Sequence, residues 1–311
     1  MAEFQITYAP VRLLNAPAPE LRAAVRKLED AGVDGVCIGD HVSFFIGAGY
    51  DALVGANVVS AMSDQLITVL GVYLLPLRHP AIVARQLADL SALAPGRLVF
   101  GVGIGGEDPH EVQICGVDPK TRGRRMDECL AVLRGLLTGE PVDFDGEFFQ
   151  LEQALILPKP SQPVPIVVGG RSNAALSRAA RLGDGWYGLW VSAKRYGAAL
   201  EEMRAEAAAA GRTDVAWHNC MNVWCGIGAT PEEARSYVAP AMQVFYQAPY
   251  ENFEKWSPHG TPAEIAEFLA PYVDAGCDTI NLQACGASLD AEIEGVAEIR
   301  ERLLVSRTRV S

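Results

Sequence analysis

Along the chain, helix-spaced apolar positions give way repeatedly to short unbroken apolar runs, with a glycine near each change. The segments "EDAGVDGVCIGDH" (29–41), "ALAPGRLVFGVGIGG" (92–106), "RLGDGWYGLW" (181–190), "AAGRTDVAWHNCMNVW" (209–224) and "DAGCDTINLQACG" (274–286) share this form. Before the change the spacing is helical, as at Leu21, Val25 and Leu28, or at Ile265, Phe268, Leu269 and Tyr272. After it the runs are β-rich without clean alternation, as strands buried on both faces should be. Gly32, Gly96, Gly183, Gly211 and Gly276 stand where a helix C-cap needs φ > 0.

This pattern predicts strands near 4–8, 33–39, 66–74, 98–103, 165–169, 185–190, 215–224 and 278–284. It predicts helices near 18–31, 52–62, 80–94, 121–138, 172–182, 194–210, 261–275 and 290–304. Eight of each in alternation imply an α/β fold, a (β/α)8 TIM barrel, as a single domain over 1–311. Two stretches depart from the plain unit. After the fourth helix, 139–164 reads as a hairpin insertion followed by a Pro-rich crossing. After strand seven, "PAMQVFYQAPYENFEKWSPHG" (240–260) reads as a long aromatic excursion, and long insertions tend to be functional or partner-covering.

Composition narrows the partners. The chain has 26 basic against 38 acidic residues, a net charge of −12, which disfavours nucleic acid and anionic membrane surfaces. No apolar run is long enough to cross a bilayer, and "MAEFQITYAP" lacks the basic and apolar regions of a signal peptide, so a cytoplasmic location is expected. The seven cysteines are scattered without C-x-x-C spacing, as buried hydrophobes of a reducing compartment would be.

In such a barrel the chemistry lies at the C-terminal ends of the strands. There "GVCIGDHVSFF" (35–45) ends an apolar run in Asp40-His41. His41 can exchange a proton near neutral pH, and Asp40 can hold backbone donors or a ligand edge; a pair that merely caps the next turn is the plainer reading. "GVGIGG" (101–106) matches G-x-G-x-x-G, but Glu107, Asp108 and Pro109 follow where a dinucleotide-binding helix should open on pyrophosphate. Glycines on one strand face would instead let a flat ring approach the backbone, or serve as a bulge in barrel closure. "VPIVVGGRSNAAL" (164–176) places Gly169, Gly170, Arg171 and Ser172 before a helix, the form of an anion cradle. Gly71, inside an apolar strand, marks a bulge or a close backbone approach.

Other chemistries lack their residues. The five histidines show no H-x-x-x-H spacing, so no metal site is expected, and the five lysines lie outside the strands. A site with few reactive side chains, many glycines and one anion cradle suits a borrowed cofactor.

Read together, "GDHV" (39–42), "LLPLRHP" (74–80), "GRLVFGVGIGG" (96–106), "GRRMDECLAVLRGLLTGEPV" (123–142), "PIVVGGRS" (165–172), "GDGWY" (183–187) and "GTPAEIAEFL" (260–269) resemble the bacterial luciferase-like superfamily of flavin and deazaflavin oxidoreductases. The resemblance implies a (β/α)8 barrel with a hairpin insertion. It implies His41 as the active-site histidine beside the cofactor ring, with Asp40 as its accompanying carboxylate. It implies a non-prolyl cis peptide at Gly71-Val72, a cofactor loop at Gly103, Ile104, Gly105 and Gly106, and a phosphate cradle at Gly169, Gly170, Arg171 and Ser172. Two positions depart from the pattern: Leu70-Gly71 stands where Thr or Ser is usual, and Gly106 where some deazaflavin-dependent alcohol dehydrogenases carry glutamate, leaving Glu107 one place away. Phe44, Glu107 and Trp190 are the expected substrate-pocket residues. The implied activity is hydride transfer between coenzyme F-420 and a small-molecule substrate, in a homodimer. An FMN-dependent monooxygenase with a separate flavin reductase, and a non-catalytic flavin-binding barrel, are the alternatives.

Overall fold

Eight parallel strands pair each with the next and the last with the first, so the sheet closes and has no edge. They are β1 Gln5–Tyr8, β2 Gly35–Ile38, β3 Ile67–Leu70, β4 Leu98–Val102, β5 Ile166–Gly169, β6 Gly185–Leu189, β7 Cys220–Ile227 and β8 Thr279–Cys285. This is a (β/α)8 barrel, seen in a computed structural model that describes residues 4–13, 16–45, 47–106 and 108–308. Around it lie α1 Ala18–Asp30, α2 Ala52–Met62, α3 Pro80–Leu93, α4 Arg122–Leu136, α5 Asn173–Leu182, α6 Ala193–Ala209, α7 Pro231–Tyr246, α8 Pro262–Asp274 and α9 Leu289–Thr308.

Both faces of the sheet are buried, which is why the strand sequences lack alternation. One face, with Val36, Leu70, Phe100, Val168 and Leu282, packs on helix residues such as Leu87, Leu133 and Leu269. The other face, with Cys37, Val69, Val99, Val167, Tyr187 and Cys220, fills the barrel interior. Burial pushes the Cys37 thiol up to about 12, so it stays protonated there. Helix starts are set by capping: Asp51 accepts from the N–H groups of Leu53 and Val54, and Thr261 with Glu264 forms a capping box.

The eight expected helices are all present, and the hairpin insertion is Val142–Asp145 with Gln150–Ala154. The aromatic excursion is not irregular. Its first part completes the 16-residue helix α7, which the hydrophobic pattern alone did not yield. Two 3-10 turns and a two-residue strand, His259–Gly260, follow. Strand β7 begins at Cys220 rather than near 215, because its partners on β6 and β8 come into register only there. Strand β3 stops at Leu70, before the cis Gly71-Val72 peptide. Gly32, Gly96, Gly211 and Gly276 have positive φ. Gly183 does not; its φ is −97°, and a Cβ there would sit 2.9 Å from the Ala179 carbonyl oxygen, so close packing requires the glycine.

Candidate active site

At the C-terminal ends of the strands a cavity of about 530 Å³ opens. It gathers Asp40, His41, Phe44, Gly71, Val72, Gly103, Ile104, Gly105, Gly169, Gly170, Arg171, Ser172 and Trp190 around one space. Gly106 is not among its lining residues; the Arg122 guanidinium packs against it, with Nη2 2.9 Å from where a Cβ would stand. Glu107 lies outside the described residues.

Beyond β2 the chain turns into a small hairpin, His41–Phe44 paired with Ala48–Tyr50. Asp40, 2% exposed, is committed to protein donors. Its Oδ1 accepts from the Ala52 N–H at 3.2 Å and from Arg78 Nη2 at 2.9 Å; its Oδ2 accepts from the Leu74 N–H at 2.9 Å and from Arg78 Nη1. Burial pushes its carboxyl above the ordinary range, and Arg78 with the two backbone donors pulls it back in part. This geometry gives Asp40 the task of holding backbone donors and Arg78, and with them the loop; holding backbone donors was one of the two tasks its position suggested.

The partner of His41 is Glu111, from the short helix Pro109–Ile114 that follows β4. The His41 Nδ1 atom lies 3.1 and 3.2 Å from the two Glu111 oxygens. Glu111 Oε1 also accepts from the N–H groups of Val42 at 2.7 Å and Ser43 at 3.1 Å. Burial works against its ionisation, but His41 and those backbone donors outweigh it and hold the carboxyl below the ordinary range. Asp108 caps the same short helix and accepts from the Phe45 N–H at 2.8 Å. Two acids of one short helix thus grip both ends of the 41–45 segment. With Nδ1 facing the carboxylate, the ring is set as the tautomer protonated there, and Nε2 makes no hydrogen bond among the described residues. Phe44 stacks on the imidazole at 3.9 Å, and Phe245 of α7 meets it edge-on at 5.8 Å.

The glycines at the neighbouring strand ends crowd around one side chain. A Cβ on Gly103 would fall on Val72 Cγ2, and one on Gly169 would lie 2.9 Å from Val72 Cγ1. A Cβ on Gly71 would collide with the Tyr187 hydroxyl and Cys37 Sγ. The glycines therefore seat Val72 as the apolar shelf of the cavity. Below it Tyr187 reaches Asn222 at 3.5 Å and Asn222 donates to Gln283 at 3.2 Å, a polar, uncharged floor.

At the end of β5, Gly170 has φ +130° and Ser172 caps α5, its Oγ accepting from the Ala175 N–H. Trp186 Nε1 donates to the Gly170 carbonyl at 2.7 Å and fixes the turn. Arg171 is exposed, sits 5.0 Å over the Trp190 ring, and makes no ion pair among the described residues. Arg178, further along α5, is tied to Asp127 at 2.6 Å. A helix N-terminus behind a glycine turn, with an uncommitted arginine, fits a phosphate.

Sequence reasoning missed Glu111, Asp108, Arg78 and Phe245. The signal for the short helix was present as Asp108-Pro109, an N-cap followed by Pro at the first helical position. Among the described residues no group of three or more His, Cys, Asp or Glu side chains is placed to hold a metal ion. None of their helices is long and apolar enough to cross a membrane.

Residues 4–279 match the family described as luciferase-like monooxygenase, and the chain belongs to that family. An uncharacterized protein of Mycobacterium tuberculosis is 46% identical over 112 residues, 36% of this chain and 38% of that protein's length. The chain thus matches under two fifths of that relative. An F-420-dependent glucose-6-phosphate dehydrogenase of Kineococcus radiotolerans is 29% identical over 288 residues, 83% of this chain and 85% of that enzyme. Among solved structures, an F-420-dependent secondary alcohol dehydrogenase holding an F-420–acetone adduct superposes with TM-score 0.83 at 20% identity, covering 97% of this chain and 99% of that one. A monooxygenase of Streptomyces bottropensis gives TM-score 0.82 at 22% identity, covering 98% and 99%. These structural likenesses establish the fold.

Proposed function

We propose that the protein is an oxidoreductase that passes a hydride between coenzyme F-420 and a small organic substrate, with His41 moving the matching proton. The observation that carries this reading is the His41–Glu111 pair: a buried carboxylate holds one imidazole nitrogen and leaves the other for the cavity. The similarity to F-420-dependent enzymes over most of the chain supports the choice of coenzyme.

The residues present fit such a group. Gly169, Gly170, Arg171 and Ser172 would hold its phosphate, and Val72 would back its ring. When bound, the deazaflavin supplies a carbon that takes or gives a hydride. The chain's residues do the rest. Asp40 and Arg78 fix the start of the 41–45 loop, so the imidazole does not drift. Glu111 keeps a proton on Nδ1, so Nε2 takes or returns the substrate proton, and the carboxylate steadies the imidazolium that results. Phe44 and Phe245 cover the ring from water.

In this reading Asp40 is a positioning residue, and Phe44 and Trp190 bound the substrate end. We extend the proposal to a single domain over 1–311, acting in the cytoplasm as a homodimer. Val54 on α2 and Ile82 on α3, 64% and 61% exposed, are apolar side chains a pairing face would cover.

Titrating the apoprotein with F-420 and separately with FMN, by fluorescence quenching, tests the reading. Micromolar or tighter binding of F-420 with weak FMN binding is the expected result. Tight binding of FMN alone would overturn it and turn the search to a monooxygenase and its flavin reductase.

A further inference from the structure

The charged side chain of the β5 cradle stands on a prepared surface. Arg171 is exposed and makes no hydrogen bond or ion pair among the described residues. A long side chain left loose in that way would have to be frozen by its ligand, at a cost in affinity. Its guanidinium carbon, however, lies 5.0 Å from the centre of the Trp190 ring. Building on the reading that residues 169–172 hold the phosphate of the coenzyme, we propose that Trp190 is a positioning residue for anion binding. Its ring holds the Arg171 guanidinium over the cradle and leaves the N–H groups free for the phosphate.

Stacking suits this task better than an ion pair. A guanidinium over an aromatic face is attracted by the ring's quadrupole through its own flat surface. Its five donors lie in its plane and stay available. A carboxylate partner would occupy the fork that a phosphate takes and would repel the anion as well. Arg178 shows that alternative in the same cavity, its Nε 2.6 Å from Asp127 Oδ1 and its charge offset. In a chain with 38 acidic and 26 basic residues, an arginine held by a ring keeps a positive charge that a carboxylate would cancel.

Trp190 is itself held. It is the first residue beyond β6, and the register of β6 on β5, Tyr187 opposite Gly169, brings it beside the turn at 170–171. Its φ is +50°, in the left-handed region that a bulky side chain adopts only where its surroundings fix it. Tyr246 of α7 meets the indole edge-on at 4.9 Å, and Phe253 packs on it at 4.7 Å. The Tyr246 hydroxyl accepts from Trp224 Nε1 at 3.0 Å, which ties that end of α7 to β7. On the next residue, the Val191 carbonyl accepts from the Tyr272 hydroxyl of α8 at 2.7 Å. A ring fixed in this way can orient an arginine that nothing else holds.

The test is a double-variant cycle on the apoprotein, read as binding and not as turnover. The probes are F-420, followed by fluorescence quenching, and inorganic pyrophosphate, followed by calorimetry. Trp190→Leu should weaken both about fivefold, and Trp190→Phe, which keeps a smaller aromatic face, about twofold. Trp190→Gly suits the left-handed backbone, so it removes the ring even where the leucine variant does not fold, and it should match the leucine loss. In an Arg171→Ala background, itself roughly tenfold weaker, either change should cost less than about twofold more. Losses that multiply to roughly 50-fold would mean that the ring acts independently of Arg171, and would overturn the proposal. Unchanged affinity in Trp190→Leu and Trp190→Gly would overturn it too, leaving Trp190 as packing. A parent protein that binds pyrophosphate and not F-420 would overturn the coenzyme reading alone, and the pyrophosphate cycle then decides the role of Trp190 by the same figures. A parent that binds neither would overturn both.

Discussion

The rim of the cavity beyond β2 and the rim beyond β5 bound the same space and are built on opposite rules. At the first, the described acids have their partners: Asp40 with Arg78, Ala52 and Leu74; Glu111 with His41, Val42 and Ser43; Asp108 with Phe45 and His110. At the second, the backbone turns on glycine and Arg171 has no carboxylate among the described residues. The difference teaches which rim reacts and which binds. A group that moves a proton in the same geometry at every turnover must be held by its neighbours. A group that grips an anion must keep its donors free until the anion arrives.

If that division is right, removing the β2 grip should cost stability. Asp40→Asn leaves the largely buried Arg78 with only the looser contact to Asp51 at 3.5 Å, and an unfolding free energy lower by about 2 kcal/mol is expected in denaturant titrations. A loss under about 0.5 kcal/mol, the range of a neutral surface change, would break the comparison. Glu111→Gln keeps the size but lets the imidazole choose its tautomer. Turnover should fall roughly 30-fold, with the pH profile of kcat/KM displaced and Glu111→Asp restoring part of the rate. A plain loss of folded protein with an unmoved profile would make Glu111 merely structural. On the other rim, Arg171→Ala should weaken F-420 binding roughly tenfold, less so in high salt, with turnover at saturation nearly kept.

The smallest effect concerns pH. The folded-state pKa of Glu111 lies below its ordinary value, so its contribution to stability is full above the ordinary glutamate range. It is lost as pH falls through the lowered value. Thermal midpoints should therefore drop by a few degrees more in the parent than in Glu111→Gln when acidified below about pH 4. Parallel curves would remove Glu111 from the pH response.

The comparison also marks what could be read from the sequence. The β5 rim was legible because its parts are contiguous: Gly169 to Ser172 form a strand end, a turn and a helix cap in four successive residues. The barrel was legible because each β/α unit repeats one local pattern. On the β2 rim Asp40 and His41 were visible, but their partners were not. Arg78 is 38 residues from Asp40 and Glu111 is 70 from His41, and only closure of the barrel brings them together. Helix α7 was missed for a different reason. Its aromatic C-terminal half faces the cavity and its own satellite core with Trp224 and Tyr250, so it reads as an excursion although Thr230-Pro231-Glu232-Glu233 is a helix start. Gly71, Gly103 and Gly169 were each visible in separate motifs, yet their reason needs the neighbouring strands: Gly103 and Gly169 leave room for Val72, and Gly71 for Tyr187 and Cys37.

The division of labour is tested most directly by measuring two quantities on one preparation of His41→Ala: its F-420 dissociation constant and its turnover at saturating coenzyme and substrate. Turnover lower by roughly 1,000-fold with the dissociation constant within about twofold of the parent is the expected result. Equal losses in both would mean that His41 binds and does not react, and the two rims would not be separate.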